Sequence, residues 1–284
     1  MPVTYTPVRY PGGKSKIYPL VDSIIEANGL VGGAYAEAFC GGAGLAMRLL
    51  LKGRVSRVLL NDLDPAVYSM WDAIVHSPDD LCRFLCDTVP TVDEWRRQRD
   101  VLLSSDSPSL ALGCAALFLN RVNRSGILRG GPIGGVAQTG RWRMNARYNT
   151  ADLCRKVTSI SERAGDIELF NMDGIDFTRD VLPSLGNGVF ANFDPPYVEK
   201  GPGLYANAFG EEDHRRLGEV IAGCPVPWMV TYDADPLVDE VYGDFDRYDL
   251  AVGYSAAKVR VGNEILVAGP GLEIPAGTLV SRVA

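Results

Sequence analysis

Residues 33–50 read GAYAEAFCGGAGLAMRLL: a short apolar stretch, a glycine turn, then Leu45, Met47, Leu49 and Leu50 in a helical pattern. That is the grammar of strand, tight turn and helix. Residues 55–75, VSRVLLNDLDPAVYSMWDAIV, repeat it, with the apolar run Val58-Leu59-Leu60 ending in Asn61-Asp62 and Pro65 opening a new helix. Two such units in succession predict a parallel sheet with right-handed crossovers. The expected fold is therefore α/β, with a Rossmann-like, mostly parallel, twisted sheet.

Outward from these units the pattern first changes and then returns. Helix-like stretches at 79–87, 92–103 and 109–122 lead into NRSGILRGGPIGGVAQTGRWRMN, which is rich in glycine and arginine and has little periodicity. This reads as an inserted, mostly helical region ending in a long functional loop. Strand and helix then alternate again through DIELFNMDGIDF (166–177), GVFANFDPPY (188–197), HRRLGEVIAG (214–223), PWMVTYDAD (227–235) and NEILVAG (263–269). The expected organisation is a catalytic part made of 1–75 and 151–284, interrupted by 76–150.

The bulk composition narrows the class. At 284 residues and 46% hydrophobic, the chain can bury a large core, and no apolar run approaches the roughly 18 residues of a membrane-spanning helix. No signal segment opens it, so the expected location is cytoplasmic. The six cysteines form no regular framework, and Cys82 and Cys86 read as two reduced core thiols one helical turn apart. With two histidines, His76 and His214, no metal site is expected. A net charge of −7 excludes a protein that is basic all over. Between Ser107 and Ala151, however, there is no acid, while Arg121, Arg124, Arg129, Arg141, Arg143 and Arg147 all fall there. Such segregation predicts a phosphate-facing patch on an acidic body.

Two glycine motifs invite nucleotide readings that their spacing refuses. YPGGKSK (10–16) would need a glycine at position 8 to be a phosphate-cradling P-loop, and position 8 is Val8. In the turn at 42–47, Met47 takes the place of the third dinucleotide-binding glycine. What remains is a glycine turn after the first strand, with Asp62 about 20 residues on, where an acid reaches ribose hydroxyls. Adenosine without a pyrophosphate fits that pair.

NFDPPY (192–197) closes an apolar strand. Pro195 and Pro196 remove two amide donors and stiffen the turn, so that carbonyls and the Asp194 carboxylate point outward as acceptors, with the Tyr197 ring next to them. The set suits a flat base bearing an exocyclic amine: two acceptors hold its hydrogens, the ring stacks, and the nitrogen lone pair is freed for attack.

With these residues in view the chain resembles the Dam-like adenine-N6 DNA methyltransferases, over nearly its whole length and in their order of motifs. YPGGKSK resembles their N-terminal cofactor motif, EAFCGGAG the glycine motif, NDLD the acidic motif, FLNRVNRSGI the start of the target-recognition region, and DPPY the catalytic motif. The resemblance implies a methyltransferase fold with residues 76–150 as target-recognition domain, S-adenosyl-L-methionine as cofactor, and double-stranded DNA as partner. A restriction endonuclease of the same system is a further candidate partner. It implies that Tyr10 and Lys14 bind the methionine part of the cofactor, that Phe39 and Gly41 line its pocket, and that Asp62 holds the ribose. Asp173, with Asp176 as rival, would contact the cofactor adenine. Asp194 would also bind the cofactor, lying between it and the target amine, and with Pro195, Pro196 and Tyr197 would carry catalysis on a flipped adenine, while Arg121, Asn123, Arg124, Arg141, Arg143 and Arg147 would meet DNA.

Ala38 and Ala43 depart from the family's usual proline and glycine, and Ser125-Gly126-Ile127-Leu128-Arg129 replaces the run found in enzymes that read GATC, so that site is not implied. Cytosine-N4 enzymes resemble this scheme with serine in place of Asp194, and protein-amide enzymes with asparagine, which favours adenine. An RNA adenine methyltransferase and a non-catalytic DNA-binding protein are the alternatives.

Overall fold

The computed structural model describes residues 4–10, 14–198, 209–256, 258–277 and 279–282, with side chains at 187 and 251–263 left aside. Gly12 and Gly13 of the N-terminal motif lie outside the described residues. Eight strands form one sheet: β1 (Ala34–Glu37), β2 (Arg57–Asn61), β3 (Ile167–Phe170), β4 (Val189–Phe193), β5 (Trp228–Asp233), β6 (Asp246–Ala256), β7 (Lys258–Ala268) and β8 (Val280–Arg282). Their order is β3-β2-β1-β4-β5-β7-β6-β8. The first five are parallel, while β7 runs antiparallel between β5 and β6. This is the expected mostly parallel, Rossmann-like sheet.

The apolar runs are continuous because both faces of the sheet are covered. Alternate residues of one strand enter opposite cores: Tyr35, Val58, Leu60, Phe190 and Met229 on one face, Ala36, Leu59, Ala191, Trp228 and Val230 on the other. The first face receives α1 (Tyr18–Ala27), α2 (Gly44–Leu51) and α3 (Pro65–His76). Asp64 caps α3 by accepting a hydrogen bond from the Ala66 amide, with Pro65 at the first helical position. Of the helices before residue 150, α4 (Pro78–Asp87), α5 (Val92–Ser104) and α6 (Leu110–Val122) match the expected helical stretches. Buried side chains of α6 belong to the same cluster as those of α1 to α3 and of α7 (Thr150–Ser161). After β3 a single turn, α8 (Gly174–Asp176), follows, and α9 (Glu211–Ala222) and α10 (Pro236–Tyr242) cover the second face.

Two expectations need correction. Cys82 and Cys86 are not core residues: Leu81 and Leu85 take the buried face of α4, which turns Cys82 to the edge and leaves Cys86 exposed, its sulfur 4.0 Å from that of Cys154. All six cysteines are free thiols, as expected. The strand at 263–269 is the end of a longer one, half of the hairpin β6–β7 that the sequence reading did not anticipate. Among the described residues no helix is long and apolar enough to cross a membrane.

Candidate active site

β1 has β2 on one side and β4 on the other, so the winding of the chain reverses between β1 and β4. In such sheets a crevice opens at the carboxyl ends of the strands at this point. A cavity of about 210 Å³ lies there. It is lined by Tyr10, Lys14, Phe39, Gly41, Asp62, Asp173 and Asp194, residues that the sequence reading drew from five separate segments. Pro196 also lines it, while Tyr197 is buried behind it and Pro195 is buried in the turn.

The glycine turn is held from below. Asp62 accepts hydrogen bonds from the amides of Gly41 (2.9 Å) and Asp64 (3.0 Å), and Trp71 Nε1 donates to the Gly41 carbonyl at 2.8 Å. Gly41 has φ +43°, and a Cβ there would stand 2.7 Å from the Tyr10 ring, so glycine is what lets that ring lie on the turn. Asn61, fully buried, donates to the Ala38 (2.9 Å) and Met172 (3.1 Å) carbonyls and accepts from the Met172 amide (3.0 Å), fastening the ends of β1 and β2 to the loop after β3. That loop delivers Asp173, whose carboxylate accepts from the Ile175 amide at 2.8 Å. Asp176 is instead paired with Arg179 at 2.7 Å and does not line the cavity. Phe39 covers Gly174 closely and meets Phe209 edge-on at 5.8 Å, which makes an apolar wall wide enough for a flat ring.

Glu37, at the end of β1 opposite Asn192 of β4, also lines the cavity and was not singled out from sequence. Burial pushes its carboxyl up to about 8, aided by the charge of Asp194, and burial pushes Asp62 up to about 7. A crevice holding such acids favours a cation-bearing ligand. S-adenosylmethionine fits this donor set: an apolar wall for the adenine, Asp62 for ribose hydroxyls, and Glu37 facing its positive charges.

The catalytic motif is braced by contacts from three directions. Thr231 Oγ1 on β5 donates to Asp194 Oδ1 at 3.1 Å, and Lys14 Nζ reaches the same oxygen at 2.9 Å. Lys14 also donates to the Tyr197 hydroxyl, which in turn donates to Glu264 Oε1 on β7 at 2.9 Å. The Lys14 ammonium stands 3.6 Å from Glu264 Oε2. Among the described residues no donor is bonded to Asp194 Oδ2, and Asp194 is the carboxylate of this group that lines the cavity.

The arginine-bearing loop is ordered by its own amides. Gln138 donates to the Ile133 (2.8 Å) and Gly135 (2.6 Å) carbonyls and accepts from the Met144 amide at 3.1 Å. Arg124, Arg141, Arg143 and Arg147 are exposed, and between two of them Trp142 is 64% exposed, with the Arg141 guanidinium 5.5 Å from its ring. The other two expected DNA contacts are placed differently. Arg121 is half-buried, donating to the Arg147 carbonyl (2.9 and 2.7 Å) and the Pro7 carbonyl (3.0 Å), and burial lowers its guanidinium to about 10. Asn123 is 0% exposed, accepting from Trp95 Nε1 at 2.8 Å and donating to the Ile127 and Leu128 carbonyls at 2.9 Å. Loop and cavity are joined through Asn120, which accepts from the Arg9 amide (2.8 Å) and donates to the Arg9 (2.6 Å) and Gly126 (2.9 Å) carbonyls.

A family model described as D12 class N6 adenine-specific DNA methyltransferase matches residues 10–255. The curated proteins contain no match. Two solved structures of the rRNA methyltransferase aviRa from Streptomyces viridochromogenes are similar to this chain. One is 13% identical with a TM-score of 0.39, covering 92% of this chain and 86% of that one. The second is 12% identical with a TM-score of 0.36 and the same coverage.

Proposed function

Since the chain belongs to the D12 class N6 adenine-specific DNA methyltransferase family, we propose that it methylates the N6 amine of an adenine flipped out of double-stranded DNA, with Asp194 as the acceptor that positions the amine. The observation that carries this reading is that Asp194 lines the same cavity as Asp62 and Glu37 while its Oδ1 is already fixed by Thr231 and Lys14. Oδ2 is thereby left to take a hydrogen from the target.

S-adenosylmethionine supplies a methyl group activated on a sulfonium. The chain's part is positioning and electrostatics. When it is bound, Tyr10 and Lys14 would hold the methionine end, Phe39 and Gly41 would shape the pocket, Asp62 would take ribose hydroxyls, and Asp173 would contact the adenine moiety. Asp194 Oδ2 and a carbonyl of the Pro195-Pro196 turn accept the two amine hydrogens, which draws the nitrogen lone pair out of conjugation and towards the methyl group. As positive charge develops on nitrogen, the carboxylate opposes it, and the proton that the amine must lose on gaining the methyl group passes through Asp194 Oδ2 to water, the side chain being 24% exposed. Tyr197, tied by its hydroxyl behind the cavity, braces the Pro195-Pro196 turn against which the base would lie.

Target recognition is assigned to residues 76–150. Arg124, Arg141, Arg143 and Arg147 meet phosphates or base edges, and Arg121 and Asn123 hold the loop in shape from within. Where a restriction endonuclease of the same system exists, it would be blocked at the methylated site.

The test is expression of wild-type and Asp194→Ala proteins in a methylation-free bacterial host, with genomic DNA read by modification-sensitive long-read sequencing. The expected result is N6-methyladenine in one short motif with wild type alone. With purified protein, Asp194→Ala should slow methyl transfer by about 10²-fold or more while cofactor affinity measured calorimetrically stays within about threefold. Full methyl transfer by the variant would overturn the assignment.

A further inference from the structure

Glu264 does not line the cavity, lies on the antiparallel strand β7, and has 1% of its surface exposed. A carboxylate so buried needs partners, and among the described residues the Tyr197 hydroxyl at 2.9 Å and the Lys14 ammonium at 3.6 Å, both of the catalytic group, meet it. The same ammonium is 2.9 Å from Asp194. One cation thus stands between two carboxylates. A cation resting on Asp194 alone would withdraw the charge that the proposed acceptor needs, and a second carboxylate on its far side divides that pull.

We propose that Glu264 is a positioning residue for methyl transfer, holding Tyr197 by its hydroxyl and sharing Lys14 with Asp194 so that Asp194 keeps its strength as an acceptor. This rests on the reading of Asp194 given above. Among the described residues the groups facing Glu264 include Lys14 from the N-terminal segment, Asp194 and Tyr197 from the turn after β4, and Asp233, its register partner on β5. Asp233 is itself buried, with neither carboxylate oxygen bonded among the described residues, so the described neighbourhood is rich in acids and Lys14 is a counter-ion shared within it.

The experiment compares Glu264→Gln and Glu264→Asp with wild type in single-turnover methyl transfer to a duplex containing the wild type's own site, across pH, alongside melting and cofactor calorimetry. Glu264→Gln keeps shape and loses charge, and is expected to slow the transfer on the order of 10- to 100-fold with cofactor affinity within about threefold. Glu264→Asp keeps charge at a shorter reach and is expected to exceed Glu264→Gln. A Glu264→Gln rate within threefold of wild type at every pH overturns the proposal. So does a loss in Glu264→Gln that Glu264→Asp shares in full, the signature of a structural role alone. A wild-type protein without adenine methylation would instead defeat the parent reading and this one with it.

Discussion

Ala43 begins α2 at φ 38° and ψ 35°, in the left-handed region where a Cβ costs about 1 kcal/mol relative to glycine. Two residues earlier Gly41 shares that hand and lies under the Tyr10 ring. The two positions should therefore answer differently to substitution. Ala43→Gly relieves strain and loosens the unfolded chain in similar measure, so stability should stay within about 1 kcal/mol by denaturant titration. Gly41→Ala adds strain of about 1 to 3 kcal/mol and displaces Tyr10, so cofactor affinity should fall about tenfold or more by calorimetry. At this scale the sequence disclosed residues whose chemistry is declared by neighbours in the chain, such as Asp194 beside its prolines. Glu37, Phe209 and Glu264 went unseen because what makes them matter is burial and contact across strands, which no local motif reports. Asp173 could be separated from Asp176 only once the Arg179 pair was visible.

Among the elements, those with strong local grammar were legible: the two strand–turn–helix units and the helices at 78–87, 92–104 and 110–122. The hairpin β6–β7 was not, since the sequence Ser255-Ala256-Ala257-Lys258 offers none of the Asn-Gly or Asp-Gly chemistry that announces a tight turn. The first and seventh helices were missed as well, although Asn149 caps the latter by accepting from the Asp152 amide at 3.1 Å. Two predictions belong here. Removing Asn120, which satisfies the Arg9 amide and carbonyl within α6, should leave buried backbone groups unpaired; Asn120→Ala is expected to cost about 2 to 4 kcal/mol in urea unfolding. In the arginine loop, replacing Arg141 and Arg143 together should lower the slope of log affinity against log salt for DNA by about 2, leaving cofactor binding unchanged. An unaltered slope would return both to plain surface.

For the whole molecule, the reversal of winding between β1 and β4 gathers acids at one end of the sheet, and stability should register them. Glu37 rises from 4.5 to about 8 and Asp62 from 3.8 to about 7, so between those limits the folded protein keeps protons that the unfolded chain has released. Their contribution is complete at low pH and is lost as pH rises towards 8, at up to about 1.4 kcal/mol per pH unit for each group. Melting of the cofactor-free protein from pH 5 to 9 should show a decline that is shallower in Glu37→Gln. A cationic ligand should stabilise the wild type more as pH rises, because Glu37 is then ionised to meet it.

The Asn120 fastening also bears on how such proteins can be rebuilt. Residues 4–10 border the cavity at one end and are stitched at the other to the helix and loop that carry the exposed arginines, through Asn120 to Arg9 and Arg121 to Pro7. Gly126, at φ +80°, leaves no room for a side chain where that strap passes. If residues 76–150 read the target, as proposed, a graft cut only at the ends of that segment would sever one half of a seam from the other. Chimaeras that carry the donor's first ten residues along with its recognition segment should fold and methylate where the shorter transplants do not.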